Sequence, residues 1–63
     1  MKQPSGARVL VVDDEPSLLR TVTANLGRRG FRVDVAQTGE DAIAQVEEHP
    51  DLVVLDLGLP DTD

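Results

Sequence analysis

The chain has 63 residues, 40% hydrophobic and 29% charged, with one histidine, no cysteine and a net charge of −6. The acidic balance argues against direct binding of nucleic acid or an anionic membrane, and the residue counts exclude disulfides and thiolate or histidine-rich metal sites. No apolar run approaches the length of a membrane span and the N-terminus lacks a signal-peptide core, so we expect a cytoplasmic protein without a membrane partner.

The first predicted element is a buried strand that ends on three acids. Residues 1–7 show no periodicity and are expected to form a flexible lead-in. Residues 8–12 form a short apolar run of valine and leucine after Arg8, which is typical of a strand covered on both faces. The three acids at 13–15 cannot continue a buried strand, so the strand is predicted to end there.

A helix and a second strand follow. Pro16 suits the first turn of a helix, which is predicted to run to about Arg29 before a left-handed Gly30. Its apolar residues recur at helical spacing and form one stripe for the core: Leu18, Leu19, Val22 and Leu26. Residues 31–36 alternate between apolar and polar side chains, which predicts a strand with one wet face or an edge strand.

The second helix and the third strand complete the predicted elements. Thr38 is expected to cap a helix that ends at His49, because the proline that follows disfavours helix there. Ile43 and Val46 are predicted to lie on its core face. The run 51–57 carries four consecutive large apolar residues directly before Asp56, which is typical of a strand in the interior of a parallel sheet.

The order of elements is β-α-β-α-β, which predicts an α/β fold with parallel strands and right-handed crossovers. The first and third strands are apolar throughout and should be interior, whereas the second alternates and should be the edge, so the predicted strand order is 2-1-3. The carboxyl ends of the first and third strands then lie side by side. Asp13, Asp14 and Asp56 are therefore expected to share one crevice, where open α/β sheets bind their ligands.

Carboxylates that share a crevice favour a bound cation. They repel one another unless a cation or a proton joins them, and hard oxygen ligands without histidine or cysteine favour Mg²⁺ over zinc. A metal in such a site can neutralise an incoming phosphoryl group while a carboxylate attacks phosphorus to form an acyl phosphate. This pattern predicts Mg²⁺-dependent phosphorylation of one aspartate. Asp56 is the best candidate because it ends a rigid strand, whereas Asp13 and Asp14 lie on a loop.

Each acid also has an ordinary structural interpretation. Asp13, Asp14 and Glu15 are residue types that are favoured near a helix N-terminus. Asp56, taken alone, is also typical of a turn at the end of a strand. At the matching ends of neighbouring strands, the group fits the ligand-binding interpretation better.

Two motifs carry a family resemblance. The sequence Val-Val-Asp-Asp-Glu-Pro at 11–16, followed by Asp-Leu-Val-Val-Leu-Asp-Leu-Gly-Leu-Pro at 51–60, resembles the receiver domain of bacterial two-component response regulators. The resemblance covers nearly the whole chain from Arg8 onward. It implies that Asp56 accepts a phosphoryl group from a sensor histidine kinase, and that the chain is a phosphoacceptor and not an enzyme, although full-length receivers assist their own phosphorylation and dephosphorylation.

The same resemblance implies a ligand set and a larger context. Asp14 would bind Mg²⁺ directly, Asp13 mainly through water, and Asp56 and the backbone carbonyl of Gly58 would complete the set. Receivers have a flavodoxin-like, doubly wound sheet of order 2-1-3-4-5, so residues 8–63 are expected to be an N-terminal half without the last two strands, the last three helices and any effector domain. The motif is similar to that of regulators with a C-terminal winged-helix domain. For the full-length protein we therefore expect transcription control, DNA contact only through that domain, and dimerisation on phosphorylation.

Three other classes of protein fit the sequence less well. A dinucleotide-binding domain needs glycines after its first strand, where this chain has Asp-Asp-Glu-Pro. A Mg²⁺-dependent aspartyl-phosphate phosphatase would carry Asp-x-Asp after its first strand, and Asp56-Leu57-Gly58 lacks the second acid. A non-phosphorylated interaction module is the remaining alternative, and such a module would show no Mg²⁺ dependence.

Overall fold

The computed structural model describes residues 6–55, and Asp56 and Gly58 therefore lie outside the described part of the chain. Its strands are β1 (Arg8–Val12), β2 (Arg32–Ala36) and β3 (Leu52–Leu55), and its helices are α1 (Pro16–Arg28) and α2 (Gly39–Val46). The predicted β-α-β-α-β order is confirmed. No helix within these residues is both long and apolar enough to cross a bilayer.

The three strands form one parallel sheet in the order β2-β1-β3, as predicted. Val12, the last residue of β1, pairs with Ala36 of β2 and with Leu55 of β3. The three strands therefore reach the same edge of the sheet, which is the edge where open α/β sheets place their binding sites.

The core is centred on β1, whose three middle residues are buried. Val9 and Val11 pack with Leu19 of α1. Partly buried apolar side chains surround this cluster: Val22, Leu26, Phe31, Val33 and Val54. The right-handed crossovers run to opposite sides of β1, so the two helices lie on opposite faces of the sheet. Side chains alternate along a strand, so Leu10 points away from α1, toward the face where α2 contacts β1 and β2. Each fully buried valine or leucine contributes about 1.5–3 kcal/mol, so β1 is the element on which the others pack.

Local signals set three of the helix ends. α1 begins at Pro16, whose fixed φ suits the first turn and whose missing N–H is not needed there. After α1, Gly30 has a φ of 95°, which glycine adopts without steric strain, as predicted. At the start of α2 the Thr38 hydroxyl accepts a hydrogen bond of 3.1 Å from the Asp41 N–H, which confirms the predicted cap.

The end of α2 differs from the prediction. The helix ends at Val46 and not at His49, and residues 47–48 form a turn. His49 has a φ of 60°, a left-handed conformation that costs a non-glycine residue about 1–2 kcal/mol. The cause lies in Pro50, which disfavours the α conformation at the residue before it, so the chain leaves the helix within the preceding turn.

Two residues predicted to be core are exposed. Ile43 is 68% exposed and Val46 is 46% exposed, because α2 rests over β1 and β2 and no described element covers its other side. Leu52, Val53 and Leu55 of β3 are also exposed. Val53 and Leu55 line, together with Ile43 and Val46, an open apolar groove of about 420 Å³. β3, predicted to be interior in a five-stranded sheet, is the outer strand of the described sheet.

β2 lies at the sheet edge, as predicted, but its faces alternate less cleanly than the sequence indicates. Val35 is 37% exposed and Asp34 is half-buried. Asp34 forms an ion pair of 3.3 Å with Arg8, which holds its side chain against the sheet. The Val35 carbonyl accepts a hydrogen bond of 2.8 Å from the Gln45 side chain, which ties α2 to this strand.

The end of the predicted lead-in joins the fold. The Gly6 N–H donates to the Gly30 carbonyl over 3.1 Å, and the Arg32 N–H donates to the Ala7 carbonyl over 2.8 Å. Contact between the segments that carry β1 and β2 therefore extends back to residue 6. The remainder of the lead-in, residues 1–5, lies outside the described residues.

Candidate functional site

Asp13 directly follows β1 and lies at the carboxyl edge of the sheet. The Asp13 N–H donates to the Ala36 carbonyl over 3.0 Å, which extends the contact of β1 with β2 by one residue. Its Oδ1 accepts a hydrogen bond of 2.9 Å from the Glu15 N–H, in an Asx-type turn that folds the loop back toward the strand end. Asp13 is only 6% exposed, and it is the one buried charged residue among residues 6–55.

The second carboxylate oxygen of Asp13 has no hydrogen-bond partner within the described residues. A buried polar atom without a partner lowers stability by roughly 1–3 kcal/mol, and by more when it is charged. Such an atom needs a cation, a proton, an ordered water molecule or a donor from another part of the protein. A hard divalent cation is the partner that an all-oxygen site at this edge favours.

Asp14 and Glu15 complete the acidic loop, and both are exposed. Glu15 precedes α1 but makes no side-chain cap to it; its carboxylate instead accepts a hydrogen bond of 2.9 Å from the Ser17 hydroxyl. The first turn of α1 contains no acid. Within the described residues neither Asp13 nor Asp14 accepts a hydrogen bond from an N–H of α1, so neither caps the helix.

The predicted crevice of three carboxylates lies only partly within the described residues. Asp13 and Asp14 follow β1, and β3 runs beside β1 in parallel to its last described residue. Asp56 and Gly58 fall outside the described residues, so their place in the site stays a prediction. Between residues 6 and 55, no three or more Asp, Glu, His or Cys side chains are grouped so that they could hold a metal ion.

Two features of the described residues were missed by the sequence reasoning. The first is the difference in exposure between Asp13, which is buried, and Asp14, which is exposed. The sequence position of Asp13 indicates its burial, because Asp13 directly continues β1, the strand with buried residues on both faces. The second is a contact between Asp51 and Arg8 at the opposite end of the sheet, for which the sequence carries no local signal.

The comparisons with known proteins agree on one family. A family model described as the response regulator receiver domain matches residues 9–63. The transcriptional regulatory protein KdpE of Mycobacterium tuberculosis is 56% identical over 54 residues, which are 84% of this chain and 24% of that protein. The alkaline phosphatase synthesis transcriptional regulatory protein PhoP of Bacillus subtilis is 47% identical over 57 residues, 89% of this chain and 24% of that protein. The transcriptional regulatory protein ResD of Bacillus subtilis is 41% identical over 64 aligned positions, 100% of this chain and 27% of that protein.

The chain spans about a quarter of the length of these curated relatives. No solved structure matches it. The family match begins within β1 and runs to the last residue of the chain, and the described strands have the order expected for the first three strands of that fold. The chain belongs to the response regulator receiver domain family.

Proposed function

We propose that this chain is the phosphoacceptor module of a two-component response regulator, in which Asp56 takes the phosphoryl group from a sensor histidine kinase. Membership of the receiver family supports phosphoacceptance in general. The observation that supports this site is the parallel pairing of β3 with β1, with Leu55 opposite Val12. In the sequence, Asp56 directly follows Leu55 and Asp13 directly follows Val12.

The environments of Asp13 and Asp14 favour Asp56 as the nucleophile. Asp13 is buried and already uses one oxygen to bind the Glu15 N–H, which suits a ligand better than an attacking group. Asp14 is exposed on a loop. A nucleophile must be held in place relative to the donor, and a residue that directly follows a paired strand has less freedom than a loop residue.

Mg²⁺ is the cation that fits the residues of this site. The buried Oδ2 of Asp13, which has no hydrogen-bond partner between residues 6 and 55, is a preformed anionic ligand, and Mg²⁺ is usually held by one or two carboxylates together with water and phosphate oxygens. The proposed ligands are Asp13, Asp14, Asp56 and the backbone carbonyl of Gly58. When bound, Mg²⁺ supplies positive charge that offsets the charge of the carboxylates and of the transferring phosphoryl group.

The transfer is a displacement at phosphorus. A carboxylate oxygen of Asp56 attacks the phosphorus of a phosphohistidine, so that an O–P bond forms and the P–N bond breaks. The bonding electrons stay on the imidazole nitrogen, which takes up a proton from water, and Asp56 carries an acyl phosphate. The chain provides the nucleophile and the carboxylates around it, so its role in the transfer is that of the phosphoryl acceptor.

For the whole protein we infer that phosphorylation controls transcription. KdpE, PhoP and ResD are each named as transcriptional regulatory proteins. We assign DNA binding to an effector domain outside these 63 residues, with dimerisation on phosphorylation as the link between phosphorylation and DNA binding. The net charge of −6 supports this division, because like charge disfavours contact between the receiver segment and DNA.

Phosphorylation of the longest natural form of the protein by a small-molecule phosphodonor tests this proposal. The wild type is expected to take up hydroxylamine-labile phosphate with Mg²⁺ and little with EDTA, whereas Asp56→Asn should take up none. Asp41→Asn, the same exchange at an exposed position of α2, is the matched control and should behave as the wild type. Equal labelling of the wild type and Asp56→Asn would place the phosphate elsewhere.

A further inference from the structure

Charge is divided between the two faces of the sheet. Residues 16–32, which form α1 and the turn into β2, contain four arginines and no acid. Residues 33–55, which include α2 and β3, contain six acids and neither lysine nor arginine. Because α1 and α2 lie on opposite faces of the sheet, one face presents a basic helix and the other presents an acidic helix.

The four arginines on the α1 side have no acidic partner among the described residues. All of them are exposed: Arg20, Arg28, Arg29 and Arg32. The one ion pair among residues 6–55 joins Arg8 to Asp34. Three of the four lie where α1 ends and β2 begins, at positions 28, 29 and 32, and form an arginine cluster at the amino edge of the sheet. This cluster is available to bind an anionic group of another molecule.

The end of α2 carries negative charge at the same edge of the sheet. Glu47 and Glu48 directly follow α2, and its last turn contains no basic residue. Cations are favoured at the C-terminus of a helix and anions are not. Arg8 donates to the Glu48 carbonyl over 3.0 Å, but its other terminal nitrogen pairs with Asp34. A further cation from another molecule would therefore stabilise this end of α2.

Both charged surfaces adjoin β2, the edge strand that the rest of a receiver leaves open. The 2-1-3-4-5 order of the family places further strands beyond β3, at the opposite edge from β2. The Gln45 side chain of α2 donates to the Val35 carbonyl of β2 over 2.8 Å, so this side of α2 adjoins the β2 edge. Glu48 lies about one turn after Gln45, on the same side, whereas Glu47 lines the groove beside β3.

A two-fold rotation brings the two surfaces together in two equivalent places. The axis of this rotation lies beside β2 and runs parallel to the strands. The rotation keeps the amino edges of both copies at one level and exchanges the faces of the sheet, so α1 of each copy lies beside α2 of the other. The arginine cluster of each copy then faces Glu48 of the other. Such a contact is isologous and closes as a dimer.

We propose that the β2 edge is a docking surface for a second copy of this chain, in which the arginine cluster of each copy binds Glu48 at the acidic end of α2 in the other. A second copy fits this surface better than nucleic acid does, because the net charge of −6 repels an extended polyanion. The contact between copies is confined to two small patches of opposite charge. It needs no phosphate and lies away from the candidate site, so it does not depend on the role of Asp56.

Charge reversal in the longest natural form of the protein, without phosphorylation, tests this contact. Arg29→Glu reverses one charge of the arginine cluster, and Glu48→Lys reverses the charge at the end of α2. Glu40→Lys is the matched control, because it makes the same exchange in the first turn of α2, at the opposite edge of the sheet. All three positions are exposed, so the fold should be kept, and circular dichroism checks this.

Sedimentation equilibrium in about 10 mM salt, where the screening length is about 30 Å, measures the dissociation constant of the dimer. The wild type and Glu40→Lys are expected to dimerise alike. Arg29→Glu and Glu48→Lys should each raise the constant at least about tenfold, because one exposed ion pair changes an equilibrium about two- to fivefold and each reversal turns two attractions into repulsions. An equimolar mixture of these two variants restores opposite charges at both contacts and should dimerise nearly as the wild type does.

Four results would overturn the inference. The first is a wild type that stays monomeric at about 1 mM protein. The second is equal dimerisation of all four proteins, which would assign association to another surface. The third is a mixture of Arg29→Glu with Glu40→Lys that associates as strongly as the mixture with Glu48→Lys, since that result indicates attraction by net charge alone. The fourth is binding of a short DNA duplex by the wild type that Arg29→Glu abolishes. If Arg29→Glu does not fold, Arg28→Glu takes its place.

Discussion

Replacement of Asp13 by asparagine is expected to stabilise the metal-free protein. Asp13 is 6% exposed, and its Oδ2 has no partner among the described residues. Asparagine keeps the Oδ1 that accepts the 2.9 Å hydrogen bond from the Glu15 N–H. The substitution therefore removes a buried charge and retains the contact that shapes the loop.

The expected gain is a fraction of the desolvation penalty. An unpaired buried polar group lowers stability by about 1–3 kcal/mol, and more when it is charged. The amide group of asparagine is also unpaired, so the substitution recovers only part of this penalty. We expect the free energy of unfolding to rise by about 1–2 kcal/mol without metal. Mg²⁺ at about a hundred times its Kd should stabilise the wild type by about 2.7 kcal/mol, and Asp13→Asn should lose most of that increment.

Urea denaturation followed by circular dichroism, once in EDTA and once in saturating Mg²⁺, measures both effects. Asp14→Asn is the control, since Asp14 is exposed and its substitution should change the free energy of unfolding in EDTA by less than about 0.5 kcal/mol. If Asp13→Asn is less stable than the wild type in EDTA, the charge at Oδ2 is not a source of instability. If it keeps the full Mg²⁺ increment, Asp13 is not a cation ligand.

Three further predictions concern the fold. His49→Gly should raise the free energy of unfolding by about 0.5–1 kcal/mol, because glycine adopts the φ of 60° of His49 without strain. A lower free energy of unfolding, measured by urea denaturation, would refute this. Asp34→Ala should lower it by less than about 1 kcal/mol, since both side chains of its ion pair are partly exposed, at 30% and 41%, and a difference that does not shrink in high salt would speak against the ion pair as the cause. Leu10→Ala should lower the free energy of unfolding by about 2–5 kcal/mol because Leu10 is 1% exposed. Ile43→Ala should lower it by under about 1 kcal/mol because Ile43 is 68% exposed. Equal losses for the two variants in thermal or urea denaturation would show that α2 packs differently.

The strand order was predictable because it follows from local patterns and general chain geometry. An apolar run at 8–12 and an alternating run at 31–36 distinguish the central strand from the edge strand. One helix separates each strand from the next along the chain, and such connections favour parallel pairing with right-handed crossovers. The positions of Asp13 and Asp14 at the carboxyl edge follow from the same reasoning.

The remaining features depend on packing, which a local pattern does not reveal. The apolar stripe of α2 predicts which side of the helix is apolar but not whether another element covers it, so Ile43 was wrongly assigned to the core. The turn at His49 was not predicted because a positive φ is uncommon for any residue other than glycine. The contact of Asp51 with Arg8 joins residues 43 positions apart, and neither composition nor spacing relates them.

The identity of the phosphorylated residue is the most direct test of the central claim. Borohydride reduction of the phosphorylated protein converts an aspartyl phosphate to homoserine, which tandem mass spectrometry locates in the sequence. We expect homoserine at position 56, formed with Mg²⁺ and absent both with EDTA and from Asp56→Asn. Homoserine at position 13 or 14, or phosphate on another residue type, would contradict the assignment of Asp56 as the phosphoacceptor.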